Sequence, residues 1–131
     1  MVTTEKPIID WRNGVVSKLA PCPIEEVMPD IAAHLIRNEK VLLAFKAARD
    51  YLAFTNKRLI AVNLKGVSGR KRDYSSFPYG KFHVWSVETA GGMDQNSLLE
   101  INLSVLAKVR FEFRGGVDIV RVGHVIASHC L

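Results

Sequence analysis

The sequence predicts a mainly β domain, α+β by content, in which seven antiparallel strands are closed by a C-terminal helix and preceded by one further helix. Three observations carry this expectation. Residues 41–63 hold three β-patterned runs whose connections are far shorter than the dozen or more residues that a parallel crossover needs, so they must form an antiparallel meander. Phe82 to Thr89 alternates with a period of two, sending Phe82, Val84, Ser86 and Glu88 one way and His83, Trp85, Val87 and Thr89 the other. Ile119, Val122, Ile126 and Cys130 then recur at helical spacing, the stripe of a terminal amphipathic helix, with Asp118 placed to suit its N-terminal dipole.

Taken in order, residues 1–23 lack clear periodicity and end in Pro21-Cys22-Pro23, whose prolines oppose both helix and central strand, so they read as an irregular arm before a domain of residues 24–131. Trp11 in that arm is expected to anchor it by packing. Ile24, Val27, Met28, Ile31 and Leu35 fall on one helical face, which predicts a helix ending near Arg37-Asn38, with Pro29 a candidate for its first regular residue. Strands follow at Val41 to Ala48, Tyr51 to Thr55 and Lys57 to Asn63, each rich in β-branched or aromatic residues. Gly66 and Gly69 bracket a loop before a strand from about Lys71 to Ser76. Pro78 and Gly80 punctuate the chain ahead of the alternating run, and Leu98 to Leu103 pairs with Ala107 to Phe113 as a last hairpin.

The segments Val41 to Lys46, Arg49-Asp50, Phe54-Thr55-Asn56-Lys57-Arg58-Leu59-Ile60, Gly69-Arg70-Lys71, Phe77-Pro78-Tyr79, Phe82 to Gly91 and Asp118-Ile119 closely resemble the bacterial pleckstrin-homology domain family. Their occurrence in this order is far more specific than any one of them, and the resemblance covers roughly residues 24–131. It implies a PH-like barrel capped by the C-terminal helix. It also implies a binding or assembly module without catalytic activity, since some members of that family are similar to one another in forming cyclic homo-oligomers.

Composition narrows the functional classes. No apolar run reaches the roughly 20 residues of a membrane-spanning helix and the first residues do not pattern as a secretory signal, so a cytoplasmic protein is expected. The two cysteines, Cys22 and Cys130, lack CxxC spacing and read as plain thiols. His34, His83, His124 and His129 show no HExxH pattern, and nucleophile elbows, P-loops and GxGxxG fingerprints are missing from the sequence. No catalytic residue, metal site or cofactor is therefore expected, and the protein is read as a non-enzyme.

Two sets of residues remain as candidate sites. The formal charge of +5 has its densest feature in Lys65, Arg70, Lys71 and Arg72, around the Gly66 to Gly69 loop. These four are the candidate anion-binding residues, for a phosphate-bearing ligand or an acidic membrane surface, against the alternative of a solvated turn whose charge protects a sheet edge. Tyr74, Phe77 and Tyr79 nearby suggest stacking on nucleic acid only superficially, because strand aromatics usually face the core. The Ala47 to Asp50 connection is too short to wrap a lipid headgroup. Trp85 and His83 are the candidate interface residues, with core packing as Trp85's alternative. The favoured partners are further copies of the chain, as a homo-oligomer or ring, or another protein. An anionic membrane is less favoured and nucleic acid is disfavoured.

Overall fold

The computed structural model describes residues 15–48, 50–65, 71–92, 95–104 and 107–131. Its strands are β1 (Val15–Pro21), β2 (Val41–Ala47), β3 (Asp50–Thr55), β4 (Arg58–Lys65), β5 (Lys71–Pro78), β6 (Val84–Glu88), β7 (Ser97–Ser104) and β8 (Ala107–Phe113), and its α-helices are α1 (Ile24–Ile31) and α2 (Ile119–Cys130). The strands form one eight-stranded sheet in the order β5-β4-β3-β2-β1-β8-β7-β6. Two antiparallel meanders, β2 to β5 and β6 to β8, are thus joined side by side through β1.

All seven expected strands lie where the sequence placed them, and β1 is the addition. Residues 15–21, read above as part of an irregular arm, form a strand that pairs antiparallel with β2 and parallel with β8. The reason it escapes a periodicity reading is local. Lys18 adopts a left-handed φ of 62°, and the pairing with β8 shifts register between Val16 and Leu19. A bulge of this kind inserts an unpaired residue and destroys the alternation on which strand recognition depends. Pro21 is tolerated because it is the last residue of the strand.

The two halves of the sheet pack face to face. Leu19, Phe45, Leu52, Phe54, Leu59 and Phe77 from one half meet Leu99, Ile101, Val109, Phe111 and Phe113 from the other in a continuous core. Edge-to-face ring pairs cross it: Phe45 with Phe113 at 4.9 Å between centroids and Phe77 with Phe111 at 6.2 Å, a geometry that brings ring edges to ring faces. Helix α2 covers one end, burying Ile119, Val122 and Ile126 in this core. The Asp118 carboxylate accepts from the Arg121 N–H at 3.1 Å and so caps the helix.

Helix α1 lies on the outer face of the first meander. Val27 and Ile31 are fully buried there against Val41, Ala44, Ala53, Ile60 and Val62, with Ile24, Met28 and Leu35 packed alongside. This second layer explains why β3 and β4 read as near-continuous apolar runs (Leu52-Ala53-Phe54, Leu59-Ile60-Ala61-Val62): both of their faces are covered. The stripe therefore marks the right face, but the helix is shorter than its spacing suggests. It ends at Ile31, a 3₁₀ turn spans Ala32–His34, and Leu35 is already extended. Pro29 sits inside the helix instead of starting it. Pro29 and Glu25 are both exposed, so the carbonyl that the proline leaves unpaired lies on the solvent side.

Candidate functional site

Of the four basic residues of the hairpin, the side chains of Lys71 and Arg72 are described. Arg72 forms an ion pair with Asp30 of α1, which counters its charge locally. Lys71 is exposed, while the Lys65 side chain and the whole of Arg70 lie outside the described residues. At the other candidate, Trp85 is half-buried and packs against the main core together with Val87, whereas Val84 on the opposite face of β6 is 61% exposed. His83 is exposed and precedes β6, its N–H donating to the Asn102 carbonyl at 2.9 Å. The predicted alternation thus holds from Val84 onward but not back to Phe82. Phe82 closes the short 3₁₀ turn of Tyr79–Lys81 and is buried edge-to-face on Tyr79, because the chain bends at His83 before the strand begins.

A polar constellation that the sequence reading did not single out as a site ties together the loop after α1 and the β3–β4 turn. Thr55 and Arg58 flank that turn. The Glu39 side chain is fully buried, and its carboxylate accepts from Arg58 Nε and Nη2 (both 2.9 Å), from the Thr55 hydroxyl (2.7 Å) and from the Ile36 N–H (3.0 Å). Arg58 directs two further donors to Ser76 Oγ and the His34 carbonyl. Burial alone would push the Glu39 carboxyl up; the Arg58, Ile36 and Thr55 donors outweigh it and hold the group down at about 2. Asn56 completes the clamp. Its Oδ1 accepts from the Lys40 N–H (2.8 Å), its Nδ2 donates to the Asn38 carbonyl (2.9 Å) and its N–H donates to the Lys40 carbonyl (3.0 Å). Asn38 reaches this position through a left-handed φ of 65°, which asparagine tolerates better than most residues.

Tyr79 extends the network inward. Its hydroxyl donates to the Thr55 carbonyl at 2.7 Å, and burial pushes the phenol pKa up. Elsewhere, Lys46 Nζ and the Tyr51 hydroxyl donate to Glu26 Oε2 (2.9 and 3.3 Å), and burial raises the nearby Cys22 thiol, which disfavours a reactive thiolate. Cys130 likewise has a raised pKa from burial and directs its thiol to the Tyr79 carbonyl. A groove of about 310 Å³ runs between β2 and the start of α2, walled by Leu42, Leu43, Phe45 and Val122 with Asp118 and Arg121 also lining it. Among the described residues no three His, Cys, Asp or Glu side chains gather to hold a metal ion, and no helix is long and apolar enough to cross a membrane.

The remaining prominent surface is the sheet's own ends. Among the described residues β5 pairs only with β4 and β6 only with β7, so the sheet is open and each end presents one unpaired strand edge. Against known proteins, residues 10–130 match the model of the bacterial PH domain family. The chain belongs to that family. This bacterial PH domain is 38% identical over 125 residues to the uncharacterised protein YjqA of Bacillus subtilis (strain 168), covering 94% of this chain and 98% of that protein. It is also similar to the crystal structure of a DUF1696 family protein with a pleckstrin-homology domain from Shewanella loihica PV-4 (32% identity, TM-score 0.77, 88% of this chain and 100% of that one). A pleckstrin homology domain from Shewanella amazonensis SB2B is similar too (33% identity, TM-score 0.65, 84% and 90%).

Within the PH domain, Phe54 to Ile60, the segment that most clearly marks the family in the sequence, is largely the clamp just described. The signal that points to it is a lone acid, Glu39, inside the basic run Arg37-Asn38-Glu39-Lys40. Its partner Arg58 is 19 residues away and becomes a neighbour only through the antiparallel sheet.

Proposed function

We propose that this PH domain is a non-catalytic interaction module that assembles with copies of itself, or with another protein, through its open sheet edges. The observation that carries the reading is the pair of edges at β5 and β6 that no strand among the described residues covers. An unpaired edge is a row of backbone donors and acceptors ready to extend a sheet. When the β5 edge of one copy meets the β6 edge of the next, the contact is head-to-tail, and it closes into a ring if the rotation between copies allows. Val84, exposed on β6, supplies apolar surface beside that edge.

Peripheral binding of an anionic ligand through the basic hairpin has less support, because Arg72 already holds Asp30. Light scattering coupled to gel filtration tests the assembly. The wild type should run as a defined multiple of 14.6 kDa, and Val84→Lys with Ser86→Lys, which place charge on the β6 edge, should shift it to the monomer. A wild-type monomer throughout the micromolar to near-millimolar range would dispose of self-assembly.

A further inference from the structure

The Glu39 clamp also shapes the surface above it. Residues 34–40 and 55–58 contain a single acid, Glu39, and its carboxylate is buried and used up by Arg58. Arg37, Lys40 and Lys57 are exposed, and each lies within one residue of a backbone group or side chain hydrogen-bonded in the Asn56 clamp. Among the described residues none of the three side chains meets a carboxylate. Ile36, on the same loop, is 60% exposed. The result is a rigid pole with one aliphatic side chain beside three uncompensated cations. It is separate from the Lys65 to Arg72 hairpin, which joins the opposite ends of β4 and β5.

We infer that this pole docks an acidic protein segment, with Ile36 as its apolar contact and Arg37, Lys40 and Lys57 as the cationic rim. The arrangement suits a protein interface, in which an apolar contact is ringed by complementary charge. A membrane fits it less well. Three cations near an anionic bilayer add only about two powers of ten in affinity, and one aliphatic side chain adds little more. Nucleic acid fits less well again, since the only ring on these two segments, His34, is already stacked on Tyr74 at 3.9 Å. The inference rests on side chains and not on the backbone groups that edge pairing uses, so either can fail without the other.

The test uses the whole chain and fluorescence anisotropy with a labelled glutamate-rich peptide carrying one central leucine. A second peptide has serine in place of the leucine. Binding should be strong at low salt and weaken by about tenfold or more when Arg37→Glu, Lys40→Glu and Lys57→Glu are combined. Ile36→Ser should cost about threefold with the leucine peptide and nothing with the serine peptide, at low and high salt alike. Lys71→Glu should leave binding unchanged. The inference is overturned if the leucine peptide fails to bind at low salt, or if Ile36→Ser affects both peptides equally. It is also overturned if Lys71→Glu weakens binding as much as the pole variant, or if phosphatidylglycerol vesicles bind through the pole while the peptide does not. Thermal melts confirm that each variant is folded, and mass measurements on the same samples report edge assembly separately.

Discussion

Glu39→Gln is the sharpest probe of the clamp, because it preserves size and removes one charge. In the native protein the carboxylate takes four donors, two of them from the Arg58 guanidinium. The amide leaves Arg58 facing a neutral partner and sets an NH₂ group against donors. Breaking a buried ion pair by removing one partner costs about 3–5 kcal/mol. Linkage gives an independent figure. The folded carboxyl lies at about 2 against an ordinary 4.5, which corresponds to roughly 3 kcal/mol. Since the pair is covered by one loop and Arg58 is 20% exposed, solvent screening brings the expected loss to about 2–3 kcal/mol. The sign follows from the direction of the shift. A depressed carboxyl contributes stability that is fully present above its unfolded pKa and is lost as pH falls through the folded one. The gap between wild type and Glu39→Gln in urea unfolding should therefore be full at pH 7, begin to shrink near pH 4.5 and have largely vanished near pH 2. A gap below about 1 kcal/mol at pH 7, or one that stays constant down to pH 2.5, would refute the account.

Four further outcomes follow from other features. Asn56→Ala removes two side-chain hydrogen bonds at an exposed turn and should cost about 1–2 kcal/mol, with the Lys40 amide losing hydrogen-exchange protection ahead of the sheet. Tyr79→Phe strands the buried Thr55 carbonyl and should cost about 1–3 kcal/mol in denaturant melts. In the wild type, ultraviolet titration should show the Tyr79 phenol ionising only once the protein unfolds in alkali. Lys18→Gly relieves a side chain held at positive φ without touching the carbonyl that accepts from Arg114, and should stabilise by up to about 1 kcal/mol in thermal melts; a loss of that size would argue against the bulge.

The fold was largely legible because its signals are local. The turn at Thr55-Asn56, the alternation of β6 and the stripe of α2 each depend on neighbours in sequence, and each lies where it was expected. What stayed hidden depends on partners that are distant in sequence or on a broken period. β1 is interrupted at Lys18, and half of its pairing is with β8, about 95 residues away. α1 stops early because the chain must turn at Ala32–His34 to send Leu35 to Lys40 back along the sheet, a demand set by tertiary packing and not by the helical stripe. In the basic hairpin, too, a distant partner is invisible in the sequence: Arg72 turns to Asp30 of α1, 42 residues away.

The Glu39 clamp bears on how a motif that marks the family should be interpreted in a domain of this kind. Thr55, Asn56 and Arg58 are polar and lie at a turn, the profile of a binding loop, but most of their polar atoms are already spent inside the protein: on Glu39, Ser76 and the backbone of residues 34–40. A ligand would have to outcompete those bonds to use them. Among the described residues, Arg37, Lys40, Lys57 and Ile36 are held in place by the clamp without their side chains being engaged, and the outer edges of β5 and β6 pair with no further strand. Substitutions at the clamp should therefore register first in stability, and substitutions at the pole or the edges first in association. A clamp variant that kept its full stability but lost its partner would reverse that assignment.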